Sequence, residues 1–352
     1  MDDGIAVLSA LQILKEPKVV KVLINLGLAV MLATMSAANA KKESLTIYTY
    51  SSFLSDWGPG PIIKEQFERD CDCEVNYVGV EDGAALLSRL RLEGSRSKAD
   101  IVLGLDTNLM VEAKETGLFE SHKLNISTLN LSIEWTDDTF LPFDYGHFAF
   151  VYDSFALQSV PETLDEFVRD IDGPRLIIQD PRTSTPGLGL VLWIRSVFGD
   201  KSPDAWAQLK PRILTVTKGW SEAYGLFLAG EAPIVLSYTT SPAYHRHVEK
   251  TDRYRAAEFS EGHYAQIEVA AKLTDSNHQE LANKFLKFML SPDFQDVIPT
   301  TNWMFPAGAT SKPLPESFSG LVEPERTLLF EPEQVADQRQ KWVKEWLNAL
   351  SQ

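Results

Sequence analysis

From Leu45 to Thr116 the chain alternates short apolar strands with amphipathic helices, and beyond Thr163 it does so again. Leu45 to Tyr50 alternates apolar and polar side chains and predicts a first strand. Pro61 to Arg69 predicts a helix with proline at its start, and Glu74 to Val80 a second strand. Asp82 then reads as the N-cap of a helix over Gly83 to Leu92, which places Leu86, Leu87 and Leu90 on one face and stops at Gly94. Ala99 to Leu105 is an apolar run of the buried-strand type, and Leu109 to Thr116 predicts another helix. A β-α-β-α-β order implies a mostly parallel sheet with helices on its faces.

Near Leu141 the pattern changes to LPFDYGHFAFVYD, too aromatic and β-branched for a helix, which predicts a long extended segment leaving the first unit. A second unit follows. Thr163 and Glu166 have the spacing of a capping box. Leu176 to Ile178 is a buried strand, and a breaker-rich turn from Asp180 leads to an apolar helix opening at Gly187. Helices over Ser202 to Leu209 and Ser221 to Ala229 and a strand over Pro233 to Tyr238 complete this unit. Residues 254 to 272 read as extended again and return the chain to the first unit. Helices over Gln279 to Leu290 and Pro332 to Leu350 close it, with Trp342, Trp346 and Leu350 spaced four apart as a core stripe. The expected organisation is α/β and bilobed, with a first lobe over 41–142, a second over 143–254 and a return over 255–352. Ligands of open α/β sheets bind beyond the carboxyl ends of the strands, here in a cleft between the lobes.

Lys18 and Lys21 precede the apolar stretch from Val22 to Met35, and Ser-Ala-Ala-Asn-Ala follows at 36–40. These are the three parts of a cleaved export signal, with the cut expected after Ala40. The apolar run falls short of the ~20 residues of a spanning helix. Residues 1–17, with Asp2, Asp3 and Glu16, read as an over-long translation start. No Cys follows the cut, which disfavours a lipid anchor and leaves the mature chain free in a periplasm. The rest of the 352-residue chain is long enough for two lobes of the usual ~100–200 residues.

The net charge of -16, with Lys and Arg unclustered, argues against nucleic acid and points to a cationic or polar small ligand. One motif runs against that charge. The helix start after Ser184 and Thr185 has the form of an anion site, because first-turn N–H groups lack intrahelical partners and the helix dipole adds partial positive charge. A ligand that is only partly anionic reconciles the two. Further candidates stand at strand ends: Tyr50 and its neighbours after the first strand, Asp82 and Gly83 after the second, and Tyr238, Thr239, Thr240 and Ser241 after the strand at 233. Trp220 opens another helix, and Trp303 lies in the aromatic loop Asn302 to Pro306. Aromatic faces attract cations and stack on flat rings, at ~0.5–2 kcal/mol per contact. Each has a plainer reading as a cap, turn former or core residue.

Signals of catalysis are weak. Gly187-Leu188-Gly189 lacks Rossmann spacing and a P-loop lysine, and no G-x-S-x-G elbow occurs. His245 and His247 flank Arg246 without a second ligand cluster, so no metal is expected. Asp144 and His147 are spaced as an acid/base pair or serve the crossing structurally. Cys71 and Cys73, separated by Asp72, are paired or merely buried, with a reactive thiol and a metal site as the other readings.

At these positions the chain closely resembles the periplasmic thiamine-binding proteins, the substrate-binding subunits of bacterial thiamine ABC transporters. The resemblance covers essentially the whole mature chain. It is carried by YTYSSFLSDWGPGP, CDCE, VEDGAALLSRLRLEG, SKADIVLGLD, PFDYGHFAFVYD, QDPRTSTPGLGL, VTKGWSEAYGLFLAGE, VLSYTTSPAYH, FSEGHY and IPTTNWMFP. It implies a bilobed class II periplasmic-binding-protein fold and capture of thiamine, its monophosphate and its pyrophosphate without chemistry. Delivery would be to an inner-membrane ABC permease with its ATPase subunit. Thiamine and its phosphates are then transported ligands, and no cofactor is expected. The resemblance also implies thiamine contacts from Asp82, Gly83, Ser184, Thr185, Trp220 and Tyr238 through Ser241, with Tyr50, Tyr244 and Trp303 in matching runs. Asp82 would meet positive charge or an amino group, the aromatic residues would stack on the rings, and Ser184 and Thr185 would hold the hydroxyl or phosphate end. A thiaminase-like enzyme using Cys71 or Cys73 beside Glu81 or Asp82 is the competing reading. A binder of a polyamine or ferric iron is another.

Overall fold

A computed structural model describes residues 42–351. The expected export signal, its cut after Ala40 and the over-long start at 1–17 lie outside the described residues. Strands β1 (Ser44–Tyr50), β2 (Glu74–Val80) and β3 (Ile101–Asp106) precede the long β4 (Leu141–Asp153). After it come β5 (Leu176–Gln179), β6 (Ile213–Thr217), β7 (Ile234–Tyr238) and β8 (His263–Leu273). The sheet path runs β2-β1-β3-β8-β4-β7-β5-β6. The expected parallel pairings hold within each unit, β1 with β2 and β3, and β5 with β6 and β7.

The two crossings correct the expectation of a mostly parallel sheet. β4 and β8 are antiparallel to each other, and β8 runs against β3 and β4 against β7. A segment that leaves a lobe and one that returns travel in opposite directions, and their backbone groups are satisfied by pairing with each other. β4 uses Leu141 to His147 against β8, then Phe148 to Tyr152 against β7. One strand thus belongs to both lobes. This is the bilobed periplasmic-binding-protein architecture.

Helices flank the sheet: α1 (Pro59–Cys71), α2 (Gly83–Glu93), α3 (Leu164–Arg169), α4 (Thr185–Phe198), α5 (Ser202–Leu209), α6 (Trp220–Leu228), α7 (Gln279–Met289) and α8 (Pro332–Ser351). In the first lobe Leu45 and Ile47 of β1 pack with Phe67 of α1 and Phe285 of α7. In the second, Phe150 of β4 stacks on Phe167 of α3 at 4.6 Å between ring centroids and lies 5.9 Å from Trp193 of α4. Trp342 and Trp346 of α8 are buried as expected, Trp346 meeting Trp206 of α5 edge-on at 6.5 Å.

Local chemistry sets the helix ends. Thr163 caps α3 by accepting from the Glu166 backbone N–H at 3.1 Å. The rest of the expected capping box is replaced: Glu261, from the loop before β8, accepts from the N–H groups of Leu164 and Asp165 at 2.9 and 3.0 Å. α4 opens at Thr185, two residues earlier than expected, with Ser184 as N-cap and Pro186 in the first turn. Cys71 and Cys73 form a disulfide at the end of α1, where Asp72 takes a left-handed φ of 51°. Asp144 and His147 do not form a pair. Three residues apart on one strand, they face opposite sides, and His147 Nε2 meets Thr327 Oγ1 at 3.0 Å instead.

α4 lies so close to the shared strand that a methyl group on Gly189 would overlap the Phe148 ring. Helix propensity favours alanine over glycine by ~1 kcal/mol, whereas overpacking costs ~1–3 kcal/mol. Gly189→Ala should therefore lower stability, read as a fall in the urea midpoint. An unchanged or higher midpoint would show that Phe148 moves freely.

Candidate binding site

Five strand ends converge where the lobes meet. Tyr50 ends β1 and Asp82 follows β2. From the second lobe come Ser184 after β5, Trp220 after β6 and Tyr238 at the end of β7. The seam is held by Asp82, whose side chain crosses to the second lobe. Its Oδ1 accepts from Gly83 N–H at 2.8 Å and from Thr185 Oγ1 at 3.1 Å. Its Oδ2 accepts from Ser184 Oγ at 2.8 Å and from Trp220 N–H at 3.3 Å. The starts of α2, α4 and α6 therefore all point at one carboxylate. Positive helix ends and four donors favour the charged form, but burial outweighs them and pushes the Asp82 carboxyl above its ordinary range. A backbone bond from Ala85 N–H to Thr183 O at 2.9 Å closes the same seam.

Beside Asp82 lies a pocket of about 380 Å³. Trp220 stacks on Tyr224 at 4.8 Å and meets Trp57 edge-on at 6.3 Å, which makes one aromatic wall. Trp220 Nε1 donates to Ser237 Oγ at 2.8 Å, which fixes the indole plane. Tyr50 and Tyr238 also line the pocket, as do Tyr244 and Trp303, which meet edge to face at 5.4 Å. Trp303 holds a left-handed φ of 57°, a strained position for a tryptophan and one often found at ligand sites. Glu268, Asn302 and Met304 also line the pocket, with small residues such as Ser52, Ser55 and Ser241.

A polar layer backs the pocket. Tyr50 OH donates to Glu268 Oε2 at 2.8 Å, and Asn302 Nδ2 donates to Asp144 Oδ2 at 2.5 Å. Tyr238 OH donates to Gln266 Oε1 at 2.7 Å, and Gln266 Nε2 reaches Asp106 Oδ2 at 3.5 Å. Burial dominates the electrostatics: it raises the carboxyls of Asp106 and Asp144 to about 7, moves Glu268 well upward, and lifts the Tyr50 and Tyr238 hydroxyls. Among the described residues the lining includes no Lys, Arg or His.

Of the expected site residues, Tyr50, Asp82, Trp220, Tyr238, Ser241, Tyr244 and Trp303 line this pocket. Gly83, Ser184, Thr185, Thr239 and Thr240 sit behind it. Ser184 and Thr185 are fully buried with their hydroxyls on Asp82, and a Cβ on Gly83 would meet the Gly104 carbonyl and Thr185. Thr239 N–H donates to His147 O at 2.9 Å and Thr240 Oγ1 reaches Met304 Sδ at 3.9 Å, so both knit β7 to the crossing and the aromatic loop. Sequence reasoning passed over Trp57, Tyr224, Glu268 and Asn302 as site residues. Tyr224 was legible, because it lies four residues after Trp220 on one helix face. Glu268 was legible as a carboxylate inside an otherwise buried strand. His245 is buried, bonded to Tyr224 OH at 2.9 Å and to Glu249 at 2.8 Å. Among the described residues no group of three His, Cys, Asp or Glu side chains is placed to hold a metal.

The raised Asp106 carboxyl has a signed consequence. Its folded value of about 7 lies above the value of 3.8 it has when unperturbed. The folded state therefore binds a proton the unfolded chain does not between those values, and stability rises as pH falls from 8 toward 5. Asp106→Asn should flatten that rise in urea midpoints at pH 5, 6, 7 and 8. An undiminished slope would mean that Asp106 titrates alike in both states.

The family model for bacterial extracellular solute-binding proteins matches residues 59–296. A thiamine-binding periplasmic protein of Brucella suis is 56% identical over 329 residues, 94% of this chain and 98% of that one. Its counterpart in Escherichia coli is 56% identical over 310 residues, 88% of this chain and 94% of that one. A solved periplasmic thiamin-binding protein superposes with a TM-score of 0.86 at 56% identity, covering 88% of this chain and 97% of that structure. The chain belongs to the bacterial extracellular solute-binding protein family, among its periplasmic thiamine-binding members.

Proposed function

We propose that this protein captures thiamine in the periplasm and delivers it to an inner-membrane ABC permease and its ATPase subunit, without chemistry on the ligand. The observation that carries this reading is the pocket itself: many aromatic rings in its lining, the carboxyl groups of Asp82 and Glu268, and, among the described residues, no cationic side chain. Thiamine matches it group by group. The thiazolium is a flat cation, which aromatic faces attract, and the aminopyrimidine is a flat ring with a donor and acceptors. The relatives' names support the same ligand. Lobe closure is the natural means of capture, because the wall residues come from both lobes and a ligand touching both favours the closed form.

The enzyme alternative loses its nucleophile. Cys71 and Cys73 are joined to each other. They also lie before the start of β2, whereas Asp82 lies beyond its end, a strand length of about 20 Å away. No observation favours the other ligands: among the described residues no group of three His, Cys, Asp or Glu is placed for ferric iron, and the ring-rich lining suits flat rings better than a flexible polyamine chain.

Intrinsic tryptophan fluorescence should change saturably on titration with thiamine, because Trp57, Trp220 and Trp303 all line the pocket. Trp220→Ala should weaken thiamine by about 5- to 30-fold, the range of one to two kilocalories of ring contact. Absence of both a fluorescence change and a calorimetric heat in the wild type would sink the proposal. Because the hydroxyls of Ser184 and Thr185 are taken up by Asp82, removing both by alanine should weaken thiamine and its monophosphate alike; a larger loss for the monophosphate would place the phosphate arm at these helix starts.

A further inference from the structure

Glu268 and Asp144 face each other across adjacent strands, in register on β8 and β4. Asp144 is fully buried; its Oδ2 takes the Asn302 amide, while its Oδ1 is buried with no ordinary donor. The directly opposed Glu268 carboxyl stands on the same face of the sheet, and Asn302 Nδ2 lies between the two, 2.5 Å from Asp144 Oδ2 and 3.4 Å from Glu268 Oε2. Tyr50 OH donates to the same Glu268 oxygen at 2.8 Å. Two ionised carboxylates are acceptors only, so the pair can offer the buried Asp144 oxygen a donor only by keeping one proton. Of the pair, Glu268 is the member that lines the pocket.

The groups around the pair do nothing to neutralise a second charge. From β1 comes the Tyr50 hydroxyl, from β7 the Tyr238 hydroxyl, from the aromatic loop the Asn302 amide, and from β3 and the seam the acidic Asp106 and Asp82. None is a cation, and like charges this close in a buried site cannot both ionise. The one charge able to relieve the pair is on the ligand.

We propose that Glu268 and Asp144 share one proton in the ligand-free protein and release it when a cationic ring settles against Glu268, so that capture of thiamine is an exchange of cation for proton. The balance is simple. The pair carries one negative charge with its proton and two without; the ligand brings one positive charge, and the proton leaves to solvent. The site's net charge is the same before and after. Burial raises both carboxyls, Glu268 the further, and keeps that proton in place at neutral pH. This makes Glu268 a specificity-determining residue: a neutral isostere of thiamine cannot expel the proton and meets a protonated, weakly attracting floor. The inference rests on the thiamine reading above.

Calorimetric titration of the full-length mature protein with thiamine, in buffers of different ionisation enthalpy at equal pH, reads the proton count directly. Near pH 6.5 to 7 the wild type should release close to one proton per thiamine bound. Its affinity should rise by up to tenfold per pH unit below the pair's transition. Glu268→Gln should bind about tenfold or more weakly and show neither release nor slope; Asp144→Asn tests the other half of the pair. Binding by the wild type with no proton released, or the same release in both variants, overturns the exchange. Infrared difference spectra separate this outcome from failure of the ligand reading. In an Asp106→Asn background, which removes the other carboxyl raised to about 7, a protonated-carboxyl band at neutral pH should be present in the ligand-free protein and lost on adding Glu268→Gln. Its absence from that background overturns the shared proton whether or not thiamine binds; its presence with no thiamine binding leaves the pair in place and sinks the ligand.

Discussion

Every part of the site depends on one carboxylate held across the seam between lobes. Asp82 stands on the first lobe, yet three of its four donors come from the second. Its position is possible because α2, α4 and α6 begin at the same place: α2 and α6 each give a first-turn N–H, and α4 gives the hydroxyls of Ser184 and Thr185. Removing a charge from water is expensive, and only a site with this many donors holds one so deep. The aromatic wall follows from the same anchor. Trp220 begins α6 with its N–H on Asp82, and its ring then stands where the pocket needs it.

The pocket combines two environments that are usually kept apart. Its walls are rings, which suit a flat ligand and give little hydrogen-bonding direction. Its back is a network of buried carboxyls, amides and hydroxyls that is nearly satisfied internally. Such a network rigidifies the site, and any group left short of a partner marks where a ligand or a proton acts.

Most of the fold was legible because hydrophobic period and breaker residues agree along the chain. β4 falls at Leu141–Asp153, the whole of the aromatic run, and Asp82, Thr163 and Gly94 end helices as their chemistry requires. The direction of the crossing strands was not legible, because alternation reports burial and says nothing of which neighbour a strand takes. The strand-end rule located Asp82, Trp220 and Tyr238. It did not foretell that Ser184 and Thr185 turn their hydroxyls to Asp82. Their partner is 102 and 103 positions away, and no local pattern announces a contact of that span. Glu268 carried one signal, a carboxylate within a buried strand, but its place in the site follows only from β8 passing between the lobes.

β4 is also a continuous mechanical link. Its residues hydrogen-bond to β8 on one side of His147 and to β7 on the other, so neither lobe owns a complete sheet without it. Rotation between lobes can be taken up as added twist in this strand, with its ladder bonds kept. Unfolding of either lobe strips partners from the other. The molecule is therefore built to flex as two bodies and to melt as one.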